Sequence, residues 1–184
     1  VAASLAGAPV TLASPAPQEA GPVAQIARGV DVARAEVSET DAAIVWPARM
    51  AWVDAETVTS LIEAHGTGDG ALLRPAYHDV PGWPVLLPVR HLDQLRSLPP
   101  DRMPDQLLTD LEAAGVPVRT LELGDPGTVH DVETPALDLP PYEGPPEPAS
   151  GHVHEWGSPA ADASDDAPLE GPALAPYEPV GRAE

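Results

Sequence analysis

The sequence predicts an α/β domain, namely a three-layer, Rossmann-like, mostly parallel sheet with helices on both faces. Short apolar runs typical of strands alternate along the chain with segments whose apolar residues recur at helical spacing. The run AAIVW at 42–46 is apolar without alternation, which is typical of a strand covered on both faces in a parallel sheet. We therefore expect strands joined by right-handed helical crossovers.

The elements are predicted in the order β-α-β-α-β-β-α-α-β. Strands are expected at 9–13, 42–46, 72–75, 84–87 and 116–123. Helices are expected at 22–37, 55–65, 89–95 and 107–114. The helix at 55–65 has the clearest ends, because Asp54 can cap its N-terminus and Gly66 can end it.

Two regions of different composition divide the chain. Residues 1–139 are predicted to form the α/β domain, and residues 140–184 an acidic, proline-rich, disordered tail. In those 45 residues there are 10 Pro, and acidic side chains outnumber the single Arg nine to one. Such a segment cannot bury enough apolar surface to offset the entropy of ordering it. His152, His154 and Glu155 in the tail would bind Zn²⁺ or Ni²⁺ only weakly for the same reason.

Composition excludes several classes of function. The formal net charge is −20, and all nine basic residues are Arg. Nucleic acid is a poor partner, because its phosphates require clustered cations. No apolar stretch approaches the length of a membrane span, and no basic leader is present, so we expect a cytoplasmic protein with no membrane partner. The absence of Cys excludes disulfides and a Cys nucleophile.

In an open α/β sheet, ligands bind outside the carboxyl ends of the strands. The segment Trp46–Trp52 follows one such strand and places two indoles around Arg49. These side chains could stack a base or a pterin and bind a phosphate. The alternative is that both indoles belong to the core and that Arg49 is a surface residue.

A second candidate ligand wall is the loop from Tyr77 to Pro84. Its Gly82 permits close approach of a backbone, and Trp83 offers a flat apolar face. No G-x-S-x-G elbow, Walker A or G-x-G-x-x-G motif is present, and no catalytic residue is identified.

The segment 124–135, GDPGTVHDVETP, gathers Asp125, Asp131 and Glu133 after a predicted strand. Carboxylates at a strand end can bind Mg²⁺, which prefers oxygen ligands. The alternative is a turn whose carboxylates are simply solvated.

Taken in order, these segments resemble the molybdopterin nucleotidyltransferase-like branch of the NTP transferases over residues 21–135. The similar segments are Trp46–Trp52, D54-A-E-T-V opening a helix, R74-P-A-Y, G82-W-P-V-L, and the closing D131-V-E-T-P. The resemblance implies transfer of CMP or GMP from an NTP to molybdopterin, with Mg²⁺ as cofactor. It implies that Asp131 and Glu133 bind the metal. Substrate binding is then expected from Trp46, Arg49, Tyr77, Gly82, Trp83 and Pro84.

The chain also departs from the family pattern. Members open with a Gly-rich loop that holds the NTP, whereas Leu5-Ala6-Gly7-Ala8 lacks its second Gly, its Arg and its Lys, so we expect the first βα unit to be missing. Arg49 stands where the family has a metal-binding Asp. We therefore expect impaired or absent transfer by this chain. The alternative is a non-catalytic interaction module that uses the Trp-lined face and the acidic tail. A missing first strand would expose a sheet edge, which suggests a homodimer or a partner subunit.

Overall fold

A computed structural model of the protein describes residues 10–145. It confirms the α/β class, with helices packed on both faces of one sheet. The strands are β1 (Ala42–Val45), β2 (Leu72–Tyr77), β3 (Val80–Pro81), β4 (Val85–Pro88) and β5 (Val118–Glu122). The helices are α1 (Gly21–Glu36), α2 (Ala55–Gly66), α3 (Leu92–Ser97) and α4 (Pro104–Ala113).

The two longest helices begin where their sequence features predict. Pro22 lies in the first turn of α1, a position where its missing N–H costs no hydrogen bond. The Asp54 carboxylate accepts from the Glu56 N–H at 2.9 Å and caps α2. Within residues 10–145, no helix is long and apolar enough to cross a membrane.

The sheet is mixed, where the sequence predicted a mostly parallel one. β2 pairs with β5 in parallel, from Leu72 opposite Val118 to Ala76 opposite Glu122. β4 lies between β1 and β2 and is antiparallel to both, and β3 forms a hairpin with β2. The reason is a tight turn after β2, in which His78 and Asp79 have φ angles of 50° and 63° and reverse the chain. β1, β2 and β5 consequently run in one direction, and their carboxyl ends meet at one edge.

Two sequence predictions at the front of the sheet are wrong. Residues 10–13 of the predicted first strand have no regular structure and are exposed. β1 was expected to be buried on both faces, yet all four of its residues are only partly buried. Its single partner among the described residues is β4, so β1 lies at the edge of the described sheet.

Alternate residues of the central strands face two separate cores, which makes the three layers. Leu72 of β2 packs with α1, α3 and α4, whereas Leu73, the next residue, packs with α2. Leu61 of α2 and Leu95 of α3 are both fully buried, one in each core. The helices thus enclose the sheet from both sides and leave its carboxyl edge open.

The predicted tail lies mainly outside the described residues, as do His152, His154 and Glu155. Its first residues, up to Pro145, are described, and the Glu143 N–H donates to the Gly124 carbonyl at 2.7 Å. The division into a domain at 1–139 and a disordered tail at 140–184 stays a prediction.

Candidate functional site

Three loops meet at the carboxyl edge of the sheet. They are the segment 46–54 after β1, the turn 78–84 after β2, and the segment 123–135 after β5. Backbone hydrogen bonds join them: the Val132 N–H donates to the Arg49 carbonyl at 2.9 Å, and the Trp83 N–H donates to the Thr128 carbonyl at 2.8 Å. The segment 123–135 therefore lies between the other two loops and contacts both.

Two glycines allow these loops to touch along their backbones. A Cβ at Gly82 would lie 2.2 Å from the Thr128 carbonyl oxygen, and one at Gly127 would lie 2.1 Å from the Trp52 carbonyl oxygen. Both glycines have ordinary φ angles, so lack of space, and not backbone conformation, requires glycine there. No larger residue fits without moving a loop.

A buried carboxylate fastens the segment 123–135 to the start of α2. Asp125 is 1% exposed. Its Oδ2 accepts from the Asp54 N–H at 2.9 Å and from the Thr57 hydroxyl at 2.7 Å, and its Oδ1 accepts from the Gly127 N–H at 2.8 Å. A buried charge is tolerated where such donors surround it. Asp125 therefore acts as a structural anchor, and both of its oxygens are already used.

The three loops enclose an open cleft of about 460 Å³. Its polar and charged lining includes Arg49, Arg74, His130 and Asp131. The remaining lining residues are Met50, Val80, Pro81, Gly82, Trp83, Thr128, Val129 and Thr134. Trp83 is only 5% exposed, so its indole forms part of the wall and is already packed into the core.

Four of the sequence-predicted site residues come together in this cleft: Arg49, Gly82, Trp83 and Asp131. They are separated by up to 82 residues along the chain and meet because β1, β2 and β5 end at the same edge. The two roles expected for them, substrate binding and metal binding, therefore share one site.

The other four predicted residues do not line the cleft. Trp46 is 43% exposed and its indole N–H donates to the Met50 carbonyl at 2.7 Å. Tyr77 is buried with its ring edge-on to His78, and Pro84 is fully buried after a cis peptide bond. Glu133 is exposed, and its contribution to the cleft is a backbone N–H that donates to Asp131 Oδ1 at 3.0 Å.

Sequence reasoning did not single out Arg74 and His130 as cleft residues. Arg74 lies in the middle of β2, opposite Thr120 of β5, whereas ligand-binding residues are expected at strand ends. A signal was present, since a charged residue inside the apolar run LLRPAY requires a polar surrounding. His130 belongs to the predicted segment 124–135, but only the carboxylates of that segment were expected to bind a ligand.

Arg49 and Asp131 form an ion pair in the lining of the cleft. Arg49 Nη1 lies 3.8 Å from Asp131 Oδ2, which is an ion pair too long for a direct hydrogen bond. The Arg49 side chain is 54% exposed and that of Asp131 is 24% exposed. At this exposure the pair contributes little to stability, and its partners can exchange for another ion.

The residues of the cleft do not fit the expected Mg²⁺ site. One Asp131 oxygen accepts the Glu133 N–H, and the other faces the Arg49 guanidinium. Among residues 10–145, no three His, Asp or Glu side chains are grouped so that they could bind a metal. A fixed positive charge beside the one suitable carboxylate also repels a divalent cation.

Two acidic side chains, Glu122 and Glu143, lie around the turn between β2 and β3, next to the cleft. The Glu122 carboxylate accepts from the N–H groups of His78 at 2.9 Å and of Asp79 at 3.1 Å, and so stabilises the turn. His78 Nε2 lies 3.5 Å from a carboxylate oxygen of Glu143. Burial raises the pKa of the Tyr77 hydroxyl, and the charges of Glu143 and Glu122 raise it further. This turn is therefore fixed by charges that surround it.

Comparison with known proteins identifies the family. The family model of the MobA-like NTP transferase domain matches residues 1–115, well over half of the chain. No curated protein matches the chain. The chain belongs to the MobA-like NTP transferase domain family, as the resemblance implied. The match covers β1 to β4 and the Arg49 loop, and it ends before β5 and the segment that contains Asp131.

Proposed function

We propose that this member of the MobA-like NTP transferase domain family binds a nucleotide in the cleft but does not transfer the nucleotidyl group as this chain alone. The observation that carries the proposal is the Arg49–Asp131 ion pair. The resemblance places a metal-binding Asp at position 49, and here a guanidinium occupies it. Family membership supports nucleotide binding.

Nucleotidyl transfer builds negative charge at the α-phosphate and at the departing pyrophosphate. A divalent cation stabilises that charge and orients both oxygens of the displacement. In this cleft, Asp131 is the only carboxylate among the lining residues, and it faces Arg49. A metal held by one carboxylate beside a guanidinium would be bound weakly, so the transition state would lack its main stabilising charge.

The finer assignments belong to the same proposal. The resemblance implies CTP or GTP as donor, molybdopterin as acceptor and a cytoplasmic location. Trp83 stands where the family has a small polar residue and forms the apolar wall of the cleft. A planar pterin or base could stack on that wall.

The test is a pyrophosphate-release assay with the purified chain, CTP or GTP, a molybdopterin acceptor and excess Mg²⁺. We expect release at the rate of the protein-free control. The Arg49→Asp variant is the informative companion, because it restores a second carboxylate at the cleft. Release by the unmodified chain above the protein-free rate would contradict the proposal.

A second candidate is a non-catalytic interaction module, and two observations favour it. Trp46 and Val132, in two of the loops at the carboxyl edge of the sheet, are 43% and 53% exposed. β1 also has a free edge within the described residues, where a homodimer or a partner subunit could add a strand. Size-exclusion chromatography that returns a clean monomer, together with a change of Trp fluorescence on adding nucleotide, would argue against this candidate.

A further inference from the structure

Positive charge is concentrated in the cleft of a strongly acidic chain. The net charge is −20 and there are only nine Arg, yet Arg49 and Arg74 both line this cleft. Asp131 is the single carboxylate among the lining residues. An anion is therefore attracted to this cleft although the protein as a whole repels anions.

We propose that the cleft is a phosphate site that works without a divalent cation. Arg49 takes the place of the metal, and the guanidinium groups of Arg49 and Arg74 bind the diphosphate part of a nucleotide. The inference rests on the proposed nucleotide binding and adds to it the means by which the phosphates are held.

The geometry of Arg49 suits an exchange of partners. Its backbone is fixed, because its carbonyl accepts the Val132 N–H at 2.9 Å. Its guanidinium is half exposed and lies 3.8 Å from Asp131 Oδ2, beyond hydrogen-bond distance. A phosphate can offer two oxygens to the planar guanidinium in a bidentate pair, which is stronger than the present contact. A bound phosphate can therefore compete with Asp131 for the exposed part of the Arg49 guanidinium.

Arg74 supplies a second cation from a rigid position. It lies within β2, which pairs with β4 on one side and with β5 on the other. Arg74 is partly buried, and interactions with a charge strengthen as water is removed. A cation on a central strand also loses little conformational entropy when it binds a ligand.

The expected response to Mg²⁺ is the distinguishing feature. When Mg²⁺ chelates a diphosphate, it cancels part of the negative charge that the guanidinium groups recognise. A site built on a bound metal gains affinity when Mg²⁺ is added, whereas this site loses affinity or stays unchanged. The sign of the Mg²⁺ effect therefore separates the two modes of binding.

The experiment is isothermal titration calorimetry of the full chain with inorganic pyrophosphate and with CTP, in EDTA and in excess Mg²⁺. We expect both probes to bind in EDTA, with equal or weaker affinity in Mg²⁺. The Arg49→Ala variant should bind at least tenfold more weakly. The matched control is Arg34→Ala, which removes an exposed Arg from α1, outside the cleft, and should leave the Kd unchanged. Far-ultraviolet circular dichroism checks that both variants fold.

Several results would overturn the inference. Binding of CTP only in Mg²⁺ would contradict it and leave nucleotide binding itself intact. Equal weakening in Arg49→Ala and Arg34→Ala would show a nonspecific charge effect and would also contradict it. A chain that binds neither probe under either condition contradicts both this inference and the nucleotide binding of the proposed function. Pyrophosphate release from CTP would contradict only the proposed lack of transfer.

Discussion

The Asp125 anchor leads to a quantitative prediction about stability. Replacing Asp125 by Ala removes the acceptor of three hydrogen bonds in a site that is 1% exposed. The Thr57 hydroxyl, itself 1% exposed, and the N–H of Gly127 would lose their partner. Water cannot replace the carboxylate without opening the packed junction between α2 and the segment 123–135. We therefore expect a large loss of stability.

The size of the effect follows from the bonds. A hydrogen bond to a charged group contributes about 1.5–3 kcal/mol net. Three such bonds share one carboxylate and are not additive, and removing the buried charge recovers part of its desolvation cost. We expect Asp125→Ala to lower the free energy of unfolding by about 3–4 kcal/mol. Asp125→Asn keeps one acceptor oxygen but turns an NH₂ group toward a donor, so we expect a loss of about 2 kcal/mol.

The assay is urea unfolding followed by tryptophan fluorescence, with Thr57→Val as the matched control. Thr57→Val removes one donor and leaves the carboxylate with two, so it should cost about 1.5 kcal/mol, the lower end of the range for a hydrogen bond to a charged group. The order Ala, then Asn, then Val, from largest to smallest loss, is the discriminating result. A loss below about 1 kcal/mol for Asp125→Ala, or a larger loss for Thr57→Val, would refute the reasoning.

Two further predictions follow from the structure. Gly127→Ala should lower the free energy of unfolding by about 2 kcal/mol in urea unfolding, because the new Cβ would lie 2.1 Å from the Trp52 carbonyl oxygen. Gly29→Ala is the control, because a Cβ there in α1 meets nothing within 4 Å, and it should stabilise by about 0.5–1 kcal/mol. Equal effects of the two substitutions would contradict the steric argument. Burial and nearby carboxylates raise the pKa of Tyr77 and of Tyr142, so in an absorbance titration at 295 nm both should ionise above the ordinary tyrosine value of about 10. Since the folded-state pKa is the higher one, the free energy of unfolding is unaffected below about pH 10 and falls as the pH rises from there through the raised pKa. Tyr77→Phe should reduce this fall. Titration of every tyrosine near pH 10 would count against the prediction.

The bounds of α1 and α2 were predictable because the ends of these helices carry local signals, whereas α3 and α4 each begin three residues from the predicted start. Asp54 and Gly66 delimit α2 to within one residue, and Pro22 lies in the first turn of α1. The direction of β4 was not predictable in the same way, since a short apolar run reads alike in both directions. The turn at His78 and Asp79 decides it, and neither residue is the glycine that usually marks a two-residue hairpin.

The site was predictable where it follows strand ends. Arg49, Gly82, Trp83 and Asp131 were found because ligands collect at the carboxyl edge of such a sheet. Arg74 belongs to the R74-P-A-Y segment but was given no role in the site, because it lies inside a strand. Trp46, Tyr77 and Pro84 were also expected in the site, whereas the Trp46 indole donates to the Met50 carbonyl and the other two side chains are buried.

The parallel pairing of β2 with β5 joins two segments that are far apart along the chain. β2 ends at Tyr77, and its parallel partner β5 begins at Val118, about forty residues later. The edge of β2 that pairs with β5 is therefore covered by a contact between distant parts of the chain. The family match stops at residue 115, just before this partner. A fragment trimmed to the matched region would expose the backbone of β2 from Leu72 to Ala76 along its longest pairing. The residues after 115, which the family match does not include, therefore contain the strand that covers this edge of β2.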